Sequence, residues 1–248
     1  MLITVLPCVV LALLAFVCVM VIGLLILGAF RVKLSRKISF EGIEDPEMVK
    51  AYDRMSRMPQ FALIRRMFAN ELKRHKPLGK IVDVGCGPGY LLRVIAQKVP
   101  DADLVGVDIS DEMLATASQN ISAWGFGSRA EFHRGEAQKI PFSEGSIDNI
   151  ISTLSLHHWS SPRDAFIEFY RVLKPGGQFL LMDMRRDPRR IFYWLVFFAT
   201  KVAPTFLGTG ALRRVNEPLG SLLASYTPPE IGQMLSGLPF SSVSIRGG

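Results

Sequence analysis

Three cysteines in 248 residues are too few for a disulfide scaffold, and two of them, Cys8 and Cys18, sit inside an apolar run. The third, Cys86, stands alone; no C-x-x-C or comparable spacing occurs, so no metal site is expected. Internal repeats and low-complexity segments are missing too, which leaves an ordinary globular chain with room for one α/β domain and an appendage. The glycine-rich stretch "IVDVGCGPGY", Ile81 to Tyr90, lacks the Lys and Ser/Thr that a phosphate-cradling loop needs after its last glycine, because Tyr90, Leu91 and Leu92 follow Gly89. It also lacks the third glycine of the dinucleotide fingerprint, whose place Tyr90 takes, and a nicotinamide oxidoreductase is disfavoured for that reason.

Charge is absent from Leu2 to Phe30, a run longer than the roughly 20 apolar residues that cross a bilayer. A cleavable signal peptide would carry a basic leader, whereas here Arg31, Lys33, Arg36 and Lys37 follow the run. Residues 1–30 are therefore expected to form a transmembrane anchor, with the N-terminus outside and the rest of the chain cytoplasmic by the positive-inside rule. The net charge of +7 is concentrated in residues 31–76, with 12 Lys/Arg against 6 Asp/Glu, and in 184–214, with 7 against 1. Both blocks adjoin apolar segments, a pattern that suits anionic headgroups and not nucleic acid, which is not expected as a partner. Ordinary solvated charge is the plainer alternative.

Short apolar runs alternate with helical patterns along the remaining chain. Strands are expected at Ile81 to Val84, Leu104 to Val107, Ala130 to His133, Asn149 to Thr153 and Phe179 to Asp183, with a weaker one at Ser242 to Ile245. Helices are expected at Leu91 to Lys98, Glu112 to Ala123 and Pro162 to Val172, with further helix over Pro46 to Lys76. That alternation implies βαβ units: a Rossmann-like, doubly wound, mostly parallel sheet covered on both faces. Ligands of such sheets bind outside the carboxyl ends of the strands, where strand order reverses. The rim then gathers Gly85 to Gly89, Asp108, the pair Glu136 and Ala137, and "LSLHHW", which opens at Leu154. A carboxylate such as Asp108 is suited to the two hydroxyls of a ribose.

"VDVGCGPG", "VGVDISDEMLATA", "GEAQKIPFSEGSIDNIIS" and "RVLKPGGQFLLMD" resemble, in order and spacing, the successive motifs of the class I S-adenosylmethionine-dependent methyltransferases of the small-molecule type. The resemblance covers about residues 70 to 183. It implies S-adenosylmethionine as cofactor, with Asp83, Gly85, Cys86, Gly87 and Gly89 around its methionine portion and Asp108 on its ribose. Ile109 and Met113 would flank the adenine and Glu136 would receive its exocyclic amine, although the family usually has Asp where this chain has Glu136; Ala137 and Leu154 would also line the cofactor site. Structural readings stand beside these. Asp108 could cap the following helix, Met113 could be core, Glu136 could be a solvated loop charge, and the histidines could simply close their loop with Trp159.

Methyl transfer from a sulfonium needs chiefly alignment, and a general base only where the acceptor must lose a proton. His157 and His158, of which at most one should face the acceptor, are the candidates for that base, with a slight preference for His157. Tyr52 is a further candidate near the donor by analogy with related enzymes, and Asp183 and Arg185 are further pocket candidates. "IFYWLVFFA", Ile191 to Ala199, follows Arg185, Arg186, Arg189 and Arg190 and is expected within an interfacial or lid segment over 185–214, with 77–248 as the donor-binding domain and 31–76 as a basic, helical linker. The whole reads as a membrane-anchored methyltransferase for a hydrophobic small molecule: a quinone or prenylated ring, a lipid amine, or a lipophilic thiol or phenol. A catalytically silent, nucleoside-binding membrane adaptor is the alternative.

Overall fold

A computed structural model describes residues 15–23, 28–38, 43–77, 79–202 and 219–247. The chain packs as two compact units, one from Arg36–Arg185 with Gly220–Gly248, the other from Met1–Ser35 with Arg186–Leu219.

The larger unit is built on five parallel strands, β1 (Lys80–Val84), β2 (Asp103–Asp108), β3 (Ala130–Arg134), β4 (Ile147–Thr153) and β5 (Leu173–Met182), in the order β3-β2-β1-β4-β5. The five stronger sequence expectations thus fall on strands, and winding reverses between β1 and β4, at the head of the glycine loop. The sixth expectation, Ser242 to Ile245, is corrected: these residues are coil, with Val243 and Ile245 exposed and so without the buried face that would fix a strand's register.

Alternation along β1 distributes its side chains between two apolar layers. Val82 and Val84 pack with Phe166, Phe169 and Val172 of α5 (Pro162–Val172), whereas Ile81 packs with Phe68, Leu72, Leu92 and Ile95 from α2 (Pro59–Arg74) and α3 (Tyr90–Lys98). Full burial of such side chains stabilises the fold by about 1.5–3 kcal/mol each. The expected helix over Pro46 to Lys76 is two, α1 (Pro46–Ser56) and α2, because Met58 is extended ahead of Pro59, which has no N–H to continue the ladder. After β2 comes α4 (Asp111–Ala123), and α7 (Leu219–Ala224) and α8 (Pro228–Leu235) lie beyond β5, α8 starting at a Thr227–Glu230 capping box.

In the smaller unit, Arg31 bridges Arg189 in antiparallel fashion, and Val32 N donates to Pro188 O at 2.9 Å. Residues 190–202 continue as α6 (Arg190–Phe197) and a π-helical turn, Phe198–Val202. Trp194 and Leu195 are 54% and 63% exposed, while Tyr193, Trp194 and Phe197 pack edge to face or tilted on one another. Much of the expected interfacial segment, 203–214, lies outside the described residues.

The single-pass placement is overturned. Among the described residues no helix is long and apolar enough to cross a membrane. The described helical piece, residues 15–23, rises about 14 Å, less than half of a hydrocarbon core of about 30 Å. Residues 1–14 and 24–27 of the expected anchor lie outside the described residues.

Candidate active site

The carboxyl ends of β1, β2 and β4 and the loop after β3 line one open cleft. Its walls carry ten of the residues expected from sequence: Tyr52, Gly85, Gly87, Asp108, Ile109, Met113, Glu136, Ala137, Leu154 and His158. Asp83, Cys86, Gly89 and His157 are not among its lining residues.

The glycine loop leaves β1 with Gly85, Gly87 and Gly89 all at positive φ, +75°, +50° and +80°. A Cβ on Gly85 would collide with the Ser155 hydroxyl and come within 2.7 Å of Ser155 Cβ, so the loops after β1 and β4 touch here main chain to side chain. A Cβ on Gly87 would meet only the Tyr52 ring, at 3.8 Å, which leaves that peptide facing the cleft. Gly89 serves packing instead: its Cβ would press on Ala117 of α4 at 3.3 Å. Cys86 turns its side chain into the apolar layer with Leu92 and Ile95, and burial pushes its thiol well above the ordinary range.

Asp108 at the end of β2 accepts from Gly87 N at 2.8 Å and from Ser110 N at 3.1 Å. The cap of α4 is Ser110, whose hydroxyl accepts from Met113 N at 3.1 Å; Asp108 is thereby left to the cleft and the glycine loop. Burial raises its carboxyl above the ordinary value, partly offset by those backbone donors. Asp83 lies deeper, 2% exposed, on the same face of β1 as Ile81. One of its oxygens has no hydrogen-bond partner among the described residues, and burial, helped by the Asp108 charge, raises its pKa to about 8. The loop carrying Glu136 and Ala137 is pinned from α5: Glu168 accepts from Ile140 N at 2.8 Å and Arg171 donates to Phe142 O at 2.9 Å.

After β4 the chain passes Leu154, which is at φ +55°, a conformation that costs a leucine about 1–2 kcal/mol and marks this corner as strained. The 3₁₀ turn Leu156–His158 then separates the two histidines. His157 is 1% exposed and locked to the fifth strand's end: its backbone N and Nδ1 donate to Asp183 at 2.9 and 2.7 Å, and its Nε2 has no partner among the described residues. His158 packs on that ring, tilted by 44° with centroids 4.1 Å apart, and is the histidine at the cleft, so the slight preference for His157 gives way to its neighbour. Strand alternation gave no help because both lie past the strand, on the turn. Sequence reasoning also missed Ile43 and Ser155 as lining residues, and placed Trp159 only in a loop-closing role. Trp159 lines the cleft with its Nε1 held by Ser155 Oγ at 3.0 Å. Ser155 was within the quoted "LSLHHW"; Ile43 had no sequence signal, since it reaches the rim from a segment before α1.

Residues 82–181 match the family model described as "Methyltransferase domain". The chain is 30% identical over 205 residues to the demethylmenaquinone methyltransferase of Thermus thermophilus, covering 79% of this chain and 90% of that one. The chain belongs to the class I S-adenosylmethionine-dependent methyltransferases. This methyltransferase is also 30% identical over 161 residues to the ubiquinone/menaquinone biosynthesis C-methyltransferase of Geotalea daltonii, covering 63% and 68% of the two chains. Among solved structures, a Methanococcus maripaludis protein assigned to the S-adenosyl-L-methionine-dependent methyltransferases superposes with a TM-score of 0.63 at 24% identity, over 86% of this chain and 92% of that one, which bears on the fold. As a member of that family, the methyltransferase uses S-adenosylmethionine as its methyl donor.

Proposed function

We propose that the methyltransferase methylates a hydrophobic aromatic ring of the quinol or phenol class, with the donor held on the glycine-loop side of the cleft and the acceptor against the turn after β4. The observation that carries this reading is the make-up of that turn. Leu154 and Trp159 present apolar surface, and His158 is the lining side chain whose ordinary pKa lies near neutrality. The names of the two relatives, both quinone-pathway methyltransferases, agree with such an acceptor.

The residues fit the donor. Gly85 and Gly87 bare the main chain at the cleft, Asp108 offers carboxylate oxygens for ribose hydroxyls, and Ile109 and Met113 give an apolar slot beside the acid of Glu136. Asp83, with a buried oxygen that has no partner among the described residues, backs the methionine end from below the loop in this reading. When bound, the donor supplies a methyl group on a sulfonium centre, which passes to the acceptor nucleophile while the bonding pair stays on sulfur. The chain's own part is to orient and to move one proton. His158 takes the hydroxyl proton of the acceptor, turning the ring into an electron-rich phenolate, and Trp159 with Leu154 holds that ring flat and excludes water. His157, fixed by Asp183, supports His158 from behind by a tilted ring contact. Such general-base help contributes about 10²–10⁴-fold.

The test is incubation of the purified chain with methyl-labelled S-adenosylmethionine and a panel of acceptors: a reduced demethylated naphthoquinone, a simple lipophilic phenol, a lipophilic thiol, and a lipid amine. Label on the quinol or phenol, and little on the amine or thiol, is expected. Transfer to the amine alone would refute the reading.

A further inference from the structure

A second groove lies on the helical face of the larger unit, sharing no lining residue with the donor cleft. It is lined by Arg57 after α1, Arg65 of α2, Tyr90 and Arg93 of α3, and Asn120 and Trp124 at the end of α4. Three guanidinium groups meet there with no carboxylate among the lining residues. The acid beneath them, Asp53, is already committed: it accepts from Arg57 Nη2 at 2.6 Å, from the Tyr90 hydroxyl at 3.0 Å and from Asn120 Nδ2 at 3.2 Å. One negative charge thus faces three positive ones.

Two of those cations have no ion pair among the described residues. Arg65 is half-buried, donates to Ser56 O at 2.7 Å, and lies over the Tyr90 ring at 5.0 Å. Loss of solvent pulls its guanidinium below the ordinary value, the mark of a cation short of compensation. Arg93 lies over the Trp124 ring at 4.6 Å, and the Tyr90 and Trp124 rings pack at 5.0 Å. Stacking on an aromatic face fixes a guanidinium plane and leaves its N–H edges for an oxyanion, the geometry in which Arg recognises phosphate or carboxylate in bidentate fashion.

We propose that this groove is a binding site for a small, free polyvalent oxyanion of the diphosphate class, gripped by the edges of Arg65 and Arg93 and flanked by Arg57 and the Asn120 amide. Nucleic acid is a poor fit, because both aromatic faces are already covered by guanidinium groups and cannot stack bases. A lipid tail is a poor fit too, since the apolar lining beyond the stacked rings amounts to Ala62 and Ala123. The groove has a mechanical link to the donor cleft. Tyr90 directly follows Gly89 of the glycine loop, Asn120 Nδ2 also donates to Pro88 O at 3.0 Å, and Asp53 is the neighbour of Tyr52, whose ring lies in the cleft. An anion that draws Arg57 or Asn120 away from Asp53 would shift the loop's support, so the groove is placed to modulate donor affinity. This inference does not depend on which acceptor the enzyme uses.

The experiment is titration of the full chain with inorganic pyrophosphate at constant ionic strength, by calorimetry and by tryptophan fluorescence. Saturable binding is expected in the wild type. Arg93→Gln and Arg65→Lys should each weaken it at least about tenfold, the second because the fork is lost while the charge is kept. Arg163→Gln, a surface arginine on α5, should leave it unchanged, and S-adenosylhomocysteine should still bind the Arg93→Gln variant within a few-fold of wild type, which shows that the variant is folded. No saturable pyrophosphate binding up to millimolar concentrations, or equal weakening by Arg163→Gln and Arg93→Gln, would overturn the proposal.

Discussion

Gly87→Ala separates a cradle for the donor from an ordinary tight turn. At φ +50° alanine pays about 1–2 kcal/mol for the left-handed conformation, and in the free protein its methyl group would meet only Tyr52, at an ordinary contact distance of 3.8 Å. A melting point lower by about 2–4 °C per kcal/mol is therefore expected for a chain of this size. Gly125→Ala is the control, because it stands at φ +82° with nothing within 4 Å of its added carbon, and it should lose a similar amount of stability. The two variants part company on donor binding. A methyl group forced between Gly87 and a ligand lying on its main chain displaces that ligand at a cost of about 1–3 kcal/mol, the usual cost of overpacking. That corresponds to about 5- to 150-fold weaker binding of S-adenosylhomocysteine in isothermal titration, with Gly125→Ala unchanged. If Gly87→Ala binds within twofold of wild type while its melting point falls as expected, the main chain at Gly87 does not carry the donor and the site geometry has been misread.

Two further outcomes follow from the same residues. Asp83 is held protonated in the folded chain up to about pH 8, whereas its ordinary value is 3.8. Between those values the unfolded chain sheds a proton that the folded chain keeps, so wild-type stability falls as pH rises through this window. Asp83→Asn removes the effect, and its stability advantage in urea melts should be absent below about pH 4, grow through neutrality and level off above about pH 8; a constant difference across the range would contradict the buried acid. His158→Gln should lower kcat on a phenolic acceptor by about 10²–10⁴-fold with donor affinity retained. An unchanged kcat would remove His158 as the base.

The centre of the sheet was legible because β1, β2 and β4 are largely buried and so read as short apolar runs, β1 being closed by the turn residue Gly85. The rim was legible for the same reason: where each run stops, the next residue is on the cleft, as at Asp108 and Leu154. What sequence could not convey is direction within the turns. Only the 3₁₀ geometry after β4 decides that His157 points back to Asp183 and His158 to the cleft, and only the cap at Ser110 frees Asp108 from the helix. The arginine groove was invisible because its parts come from four helices separated by up to 67 positions, and each arginine alone looks like a solvated surface charge. The apolar run before Arg31 shows the converse limit. Its composition satisfied the length rule for a span, yet composition does not report whether one uninterrupted helix forms, and the described helical piece is far too short.

The most direct test of the account is a crystal structure of the full chain with S-adenosylhomocysteine. The ribose is expected on Asp108, the adenine between Met113 and the Glu136–Ala137 loop, and the sulfur on the side of the cleft that faces His158. Density for the ligand elsewhere, or with Asp108 still bonded only to Gly87 and Ser110, would contradict the assignment of the site.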